Sequence, residues 1–291
     1  MAGSLNEAVL RQFEQHLIQI SLSPKTIASY LTDLRVFIRW ASRAKTTDFL
    51  LVNITPDQIR AYLTHLIDDL NRAPTTVNRH LQAIRKCCAY LTERKLVTSN
   101  AAEEISLISL EAQPAPDALP EKAINQFLSA ANGTRTAIAR RDQAILHLLV
   151  RAGLRITEMV NLSIDDVVFD YPGVHLNVRD SRNQSRRNIP LPAPVCRSLK
   201  DYLLIRPKTT ALPHLFLTQE GNALSPRTVQ RIVSRCAKQA DLSGVTAQLL
   251  RRTYAINLLA ETDDLGLVSQ RLGHRNEKIT QRYLGLSALP A

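Results

Sequence analysis

The sequence predicts a mainly α-helical protein, with a four-helix N-terminal domain and a mostly helical second domain that carries a small antiparallel β element. Three observations predict it. Apolar residues recur at helical spacing through most of the chain; the proline-rich stretch "SLEAQPAPDALPEK" interrupts that pattern at residues 109–122; and "VHLNVRDSRNQSRRNIPLP" switches to a period of two. At 291 residues and 45% apolar content, the chain is long and apolar enough for two domains that each bury a core.

The N-terminal part reads as helices separated by turn chemistry. A first helix is expected near Asn6–Ile20. In "SPKTIASYLTDLRVFIRWA", Ser23 is the expected N-cap and Pro24 the first helical residue, and Ile27, Leu31, Leu34 and Phe37 follow on one face. "TPDQIRAYLTHLIDDL" repeats that start signal, with Thr55 as cap and Pro56 after it. "APTTVNRHLQAIRKCCAYLTERK" then carries the stripe Val77, Leu81, Ile84, Cys88 and Leu91. Together these form a compact all-α bundle over residues 1–110. Pro114, Pro116 and Pro120 mark a semi-rigid linker over 111–120, and the second domain occupies 121–291. That domain opens with helices in "PEKAINQFLSAA" and "ARRDQAILHLLVRAG". Two short strands are expected at Val174–Val178 and Arg187–Leu191, and further helices in "SPRTVQRIVSRCAKQA", "TAQLLRRTYAINLLAE" and "LGLVSQRLG".

The formal charge is +11, divided as +3 over residues 1–110 and +8 over the remainder. Such a balance points to a polyanionic partner. No stretch has the length of uncharged apolar sequence that a membrane span needs, and the N-terminus does not read as a signal peptide, so the expectation is a cytoplasmic, nucleoid-associated protein that binds nucleic acid. The four cysteines, Cys87, Cys88, Cys196 and Cys236, show no metal-binding spacing and read as reduced. Phosphate-cradling glycine loops and metal-ligand motifs are also missing, so no cofactor and no metal are expected. Basic faces at Arg72, Arg79, Arg85 and Lys86, at Arg186 and Arg187, at Arg227 and Arg231, and at Arg252 are candidates for DNA contact.

The residues left for chemistry are arginines near helix ends, a histidine and a tyrosine. Arg155 lies in "RAGLRITEMVNL" and Arg251 in "TAQLLRRTYAINLL"; guanidinium forks fit phosphate oxygens and stay charged at cellular pH. Two of them on one phosphodiester would stabilise the added charge of a pentavalent transition state, and a tyrosine such as Tyr283 in "GHRNEKITQRYLGL" would attack the phosphorus.

Together "AGLRITEMVNLSIDDV", "LLRRTYAINLL", "LGHRNEKITQRY" and the arginine-laden hairpin resemble the tyrosine recombinase (phage integrase) family, over nearly the whole chain. The resemblance implies that Arg155 and Arg251 are the two catalytic arginines, that His274 contacts or packs beside the phosphate, and that Tyr283 is the nucleophile. It implies a core-binding N-terminal domain, site-specific cleavage and rejoining through a 3′-phosphotyrosyl intermediate, double-stranded DNA with paired inverted half-sites, and a homotetramer in the synaptic complex formed from monomers in solution. The chain is most like the short recombinases that resolve dimers or cointegrates or invert DNA, since no arm-binding domain fits before the first helix. Two positions depart from the family pattern. Gln248 stands where the family has His or Lys, and Arg182 aligns with the hairpin lysine that serves as general acid. An amide cannot shuttle a proton, and an arginine is a poor proton donor at neutral pH. These departures leave an accessory DNA-binding protein of the same fold, impaired in catalysis, as one alternative; a topoisomerase-like strand-passing enzyme, which uses similar chemistry without synapsis, is the other. The residues after Tyr283, "LGLSALPA", are too few for much of the helix that couples protomers in many relatives.

Overall fold

A computed structural model describes residues 2–44, 49–109, 117–131, 136–170, 173–179, 186–207 and 212–286. The chain divides into two compact units, Met1–Gln113 and Pro114–Ala291.

The first unit holds α1 (Ala2–Gln19), α2 (Pro24–Ala44), α3 (Pro56–Thr64) and α4 (Pro74–Glu93). The start signals act as the sequence suggests. Thr26 N–H donates to Ser23 Oγ (3.1 Å), and Thr55 forms a reciprocal capping box with Gln58, at 3.3 and 3.0 Å. The first helix starts earlier than expected, at Ala2, so that Asn6 lies within it. Its buried side chain bonds Phe49 O (2.8 Å) and Leu51 N (2.9 Å), clamping the segment after α2 onto α1. Phe37, fully buried, centres the core: its ring lies 5.0 Å from Tyr62 and 5.5 Å from Phe49, both edge-on. A chain of polar side chains runs through this core. Tyr62 Oη lies 3.0 Å from His80 Nδ1, whose other ring nitrogen is 3.5 Å from Asp33, itself paired with Arg79 at 3.0 Å.

In the second unit α5 (Glu121–Ser129), α6 (Ala137–Arg151) and α7 (Ile156–Asn161) lead into the sheet, and α8 (Ala193–Leu203) follows it. The remaining helices are α9 (Pro226–Gln239), α10 (Ala247–Thr262), α11 (Leu265–Leu272) and α12 (Glu277–Leu284). The sheet is antiparallel in the order β1-β2-β3, from β1 (Val167–Asp170), β2 (Gly173–Arg179) and β3 (Arg186–Leu191). The two strands read from the sequence are therefore present, together with a preceding strand, β1, that the sequence reading did not include. Only Val167 of its four residues is buried, so period two has almost no room to show. In β2 and β3, Val174, Leu176, Val178, Ile189 and Leu191 point inward in alternation and pack on the helices. Buried Asp142 of α6 ties that helix to α9, accepting from Arg141 at 2.7 Å and from Arg235 at 2.5 Å.

All four cysteines are free thiols, three of them buried. Among the described residues no helix is long and apolar enough to cross a membrane.

Candidate active site

Five chain segments meet around one cleft of about 830 Å³ in the second unit, lined by Arg155, by Gln230 and Ser234 of α9, by Gln248 and Arg251, by His274 and by Tyr283. Arg155 enters from the turn after α6. That turn needs Gly153, whose φ of +59° is left-handed and whose missing Cβ would lie 2.2 Å from the Tyr254 ring. Gly153 O also accepts from Arg251 Nη1 at 2.6 Å, so the turn that launches one arginine holds the other.

Gln248 and Arg251 sit in the first turns of α10, behind the N-cap Thr246, which accepts from Leu249 N–H at 3.1 Å. His274 follows Gly273, the left-handed C-cap of α11 (φ +65°). Its Nδ1 lies 2.9 Å from Thr280 Oγ1 and its Nε2 3.5 Å from Arg251 Nη2. Tyr283 stands on α12, capped by Asn276 and ended by Gly285 at φ +69°. Its ring meets His274 edge to face at 5.4 Å, and its hydroxyl donates to Gln248 O at 3.4 Å.

One buried carboxylate organises the cations. Glu158 Oε1 accepts from Arg155 (2.7 Å) and Arg187 (3.0 Å), while Oε2 accepts from Arg187 (2.8 Å) and from the Arg155 backbone N–H (2.8 Å). Arg251 Nη1 is 3.7 Å from the same Oε2. Burial pushes the Glu158 carboxyl up, but the hydrogen bonds and charge of Arg187, the Arg155 backbone N–H and the charge of Arg251 outweigh it and hold the group below its ordinary value. Burial, and then the positive charge of Arg155, brings Arg251 down to about 10. His274 is pushed down to about 4, by burial first and then by Arg251, Arg155 and Arg187, so its imidazole is neutral at pH 7. Burial raises Tyr283 above the ordinary tyrosine value, with Arg251 and Arg252 offsetting part of the rise. The cleft thus presents fixed guanidinium N–H groups, a neutral imidazole and a protonated phenol, the groups needed to bind a phosphodiester and attack it.

Not every cation named from the sequence lies at the surface. The Arg187 side chain is 8% exposed and Arg252 is buried, so neither is presented as an open surface cation. Arg187 donates to Glu158 and, through Nε, to Arg271 O at 2.9 Å. Arg252 donates to Tyr283 O and to Leu284 O (3.0 Å), bracing the end of the tyrosine's helix. It lies one residue from Arg251, and that step turns a helix by about 100°, so the two neighbours serve different walls. Arg72, Lys86, Arg186, Arg227 and Arg231 are exposed and Arg85 is half-buried. Arg79 is half-exposed, on Ser29 (3.2 Å) and Asp33. Arg182 lies outside the described residues. Glu158 escaped the sequence reading. Its one signal was its position three residues after Arg155, the spacing at which a glutamate bonds back to the backbone at a helix start.

The sequence matches the Phage integrase family over residues 117–288 and the family's N-terminal SAM-like domain over residues 10–95. The chain belongs to the phage integrase family. Among its relatives are the tyrosine recombinases XerC of Myxococcus xanthus, 30% identical over 285 residues that cover 94% of this chain and 92% of that protein, and XerC of Neisseria gonorrhoeae, 28% identical over 94% and 88%. Solved structures share the fold. The XerH site-specific recombinase bound to palindromic difH substrate in a post-cleavage complex aligns with a TM-score of 0.76 at 21% identity, over 90% of this chain and 76% of that one. A lambda integrase dimer bound to a COC′ core site aligns with a TM-score of 0.72 at 18% identity, over 98% and 79%.

Proposed function

We propose that this protein is a site-specific tyrosine recombinase that cuts and rejoins duplex DNA with Tyr283 as nucleophile. The observation that carries the assignment is the convergence of Arg155, Arg251, His274 and Tyr283, drawn from four separate segments, on one cleft. Arg155 and Arg251 grip the non-bridging oxygens of the scissile phosphate and stabilise the charge that builds on them. The Tyr283 oxygen forms a bond to phosphorus as the bond to the 5′-oxygen breaks. The phenolic proton leaves, a proton reaches the 5′-oxygen, and the 3′-phosphate remains as a tyrosyl ester. That ester keeps the energy of the broken bond, so a 5′-hydroxyl from the same or a partner duplex rejoins the strand without nucleotide hydrolysis. His274, neutral and beside Arg251, shapes the phosphate pocket.

Gln248 offers its side-chain amide as a phosphate donor but no proton acceptor. Arg182 supplies charge to the leaving side of the phosphate. The first unit serves as the core-binding domain and the second as the catalytic domain, and each contributes contacts to the duplex. Arg72, Arg79, Arg85, Lys86, Arg186, Arg227 and Arg231 supply phosphate contacts, which makes binding fall steeply with salt. The palindromic substrate of the XerH complex and a lambda integrase tetramer solved on a Holliday junction support paired half-sites on double-stranded DNA and a tetrameric synapse.

The test is covalent trapping. Purified protein is incubated with nicked duplexes carrying the DNA that flanks its gene, and adducts are mapped by peptide sequencing. Tyr283→Phe should abolish the adduct while DNA affinity stays within about threefold. An adduct that persists in that variant assigns the nucleophile elsewhere.

A further inference from the structure

Three guanidinium groups crowd one carboxylate and one helix end. The last carbonyls of α11 each take one of them: Arg271 O accepts from Arg187 Nε (2.9 Å), Leu272 O from Arg251 Nη2 (2.6 Å) and Gly273 O from Arg155 Nη2 (3.4 Å). Helix carbonyls at a C-terminus carry partial negative charge and lack intrahelical partners, so cations are favoured there. Glu158 then stands between the same three cations.

Their placement at the cleft separates their roles. The side chains of Arg187 and Arg251 are equally buried, at 8% and 7% exposed, but Arg251 lines the cleft, as does Arg155 at 30%, and Arg187 does not. Arg187 therefore cannot grip a phosphate as Arg155 does. It takes both oxygens of Glu158 in a parallel fork, 3.0 Å and 2.8 Å, which is the strong geometry of a guanidinium–carboxylate pair.

We infer that Arg187 is a positioning residue of the strand-transfer site, engaging Glu158 so that Arg155 and Arg251 remain available to the scissile phosphate. The inference rests on the proposed reading of the cleft. The reasoning is one of competition. A buried carboxylate must be paired. Without Arg187, the oxygens of Glu158 fall to Arg155 and Arg251 alone, and these are the N–H groups that the phosphate needs. With Arg187 present, the Arg155 guanidinium bonds Glu158 through one nitrogen, Nη1, and its other terminal nitrogen makes only the long contact to Gly273 O. Arg187 also packs where a Gly273 Cβ would lie 2.7 Å from its Nη1, so it helps set the turn that presents His274.

Four proteins test this: wild type, Arg187→Met, Glu158→Gln and the double variant. Two readouts are taken on each, with thermal unfolding to establish that it is folded. The first is the single-turnover rate of covalent adduct on a nicked duplex. Arg187→Met should lose about 100-fold, the scale set by a misplaced catalytic group. The double variant, in which the unpaired charge is gone, should regain at least tenfold of that loss. The second readout needs no DNA. Phenylglyoxal labelling of Arg155, followed by mass spectrometry, should slow in Arg187→Met and recover in the double variant.

A merely structural Arg187 would lower unfolding temperature and rate together, with no rescue when Glu158 is also neutralised; that pattern overturns the inference. Unchanged Arg155 labelling in folded Arg187→Met overturns it as well. Failure of the wild-type protein to form any adduct would instead count against the proposed reading of the cleft, and the labelling would still judge Arg187.

Discussion

Residue 248 is the position at which this site can be given what its chemistry lacks. In the proposed mechanism Tyr283 must lose its proton to attack, and with an ordinary tyrosine value of about 10, only about one molecule in a thousand is phenolate at pH 7. Burial makes the fraction smaller still. The Tyr283 hydroxyl lies 3.4 Å from the backbone oxygen of Gln248, so a side chain at 248 springs from the backbone that faces the nucleophile. Gln248→His places an imidazole there. It sits in the first turn of α10, where the helix N-terminus and the nearby arginines disfavour imidazolium, so its value falls below the usual 6.5. It is then neutral, and able to accept a proton, at pH 7. A positioned general base is worth about 10²–10⁴-fold, or roughly 3–5 kcal/mol of barrier. The assay is single-turnover adduct formation on a nicked duplex between pH 5.5 and 9. The variant should exceed wild type by at least about tenfold at pH 7 and show a new inflection below pH 6.5, with activity lost on the acid side. Equal rates and matching pH profiles would refute the claim that residue 248 commands the phenolic proton.

Further expectations concern stability. Phe37→Ala removes the fully buried ring at the centre of the first unit and should cost about 3–5 kcal/mol in denaturant unfolding, with a loss below about 1 kcal/mol arguing against that placement. Gly153→Ala combines left-handed strain of about 1–2 kcal/mol with overpacking against Tyr254 of about 1–3 kcal/mol. Repeating it in a Tyr254→Ala background should recover the overpacking part only, so equal losses in both backgrounds would contradict the geometry. His80 and His274 are both depressed to about 4, His80 by burial and then by Arg79 and Arg72. Their unfolded forms take up protons below about pH 6.5 and their folded forms do not until near 4, so the stability they contribute is complete above 6.5 and is lost as pH falls through that window. Unfolding temperatures measured from pH 7 to pH 4.5 should fall, and less steeply in His80→Gln; parallel curves would show that His80 is not held neutral.

The helices were legible because their signals are local. Thr55 and Gln58, Ser23 and Pro24, and the alternation in β2 and β3 act through neighbours within four residues or across one strand pair, and a sequence displays such spacing directly. The motif residues of the cleft were legible too, since Arg155, Gln248, Arg251, His274 and Tyr283 are marked by a characteristic order along the chain and line one cleft. What the sequence by itself determined was therefore the fold class, the type of most long elements (α8 was not read) and a set of residues that line one cleft.

Tertiary structure alone decided what each charge does. Arg187, Arg251 and Arg252 are alike as letters, yet one pairs Glu158, one faces the cleft and one closes the helix of Tyr283. Glu158 gathers partners from 3 to 93 residues away (Arg155, Arg187 and Arg251), and Asn6 clamps a segment more than forty residues distant. The physical reason is that the energy of a charge depends on burial and on partners brought together only by packing. Residue type sets the chemistry available; the surrounding dielectric and geometry set which part of it is used.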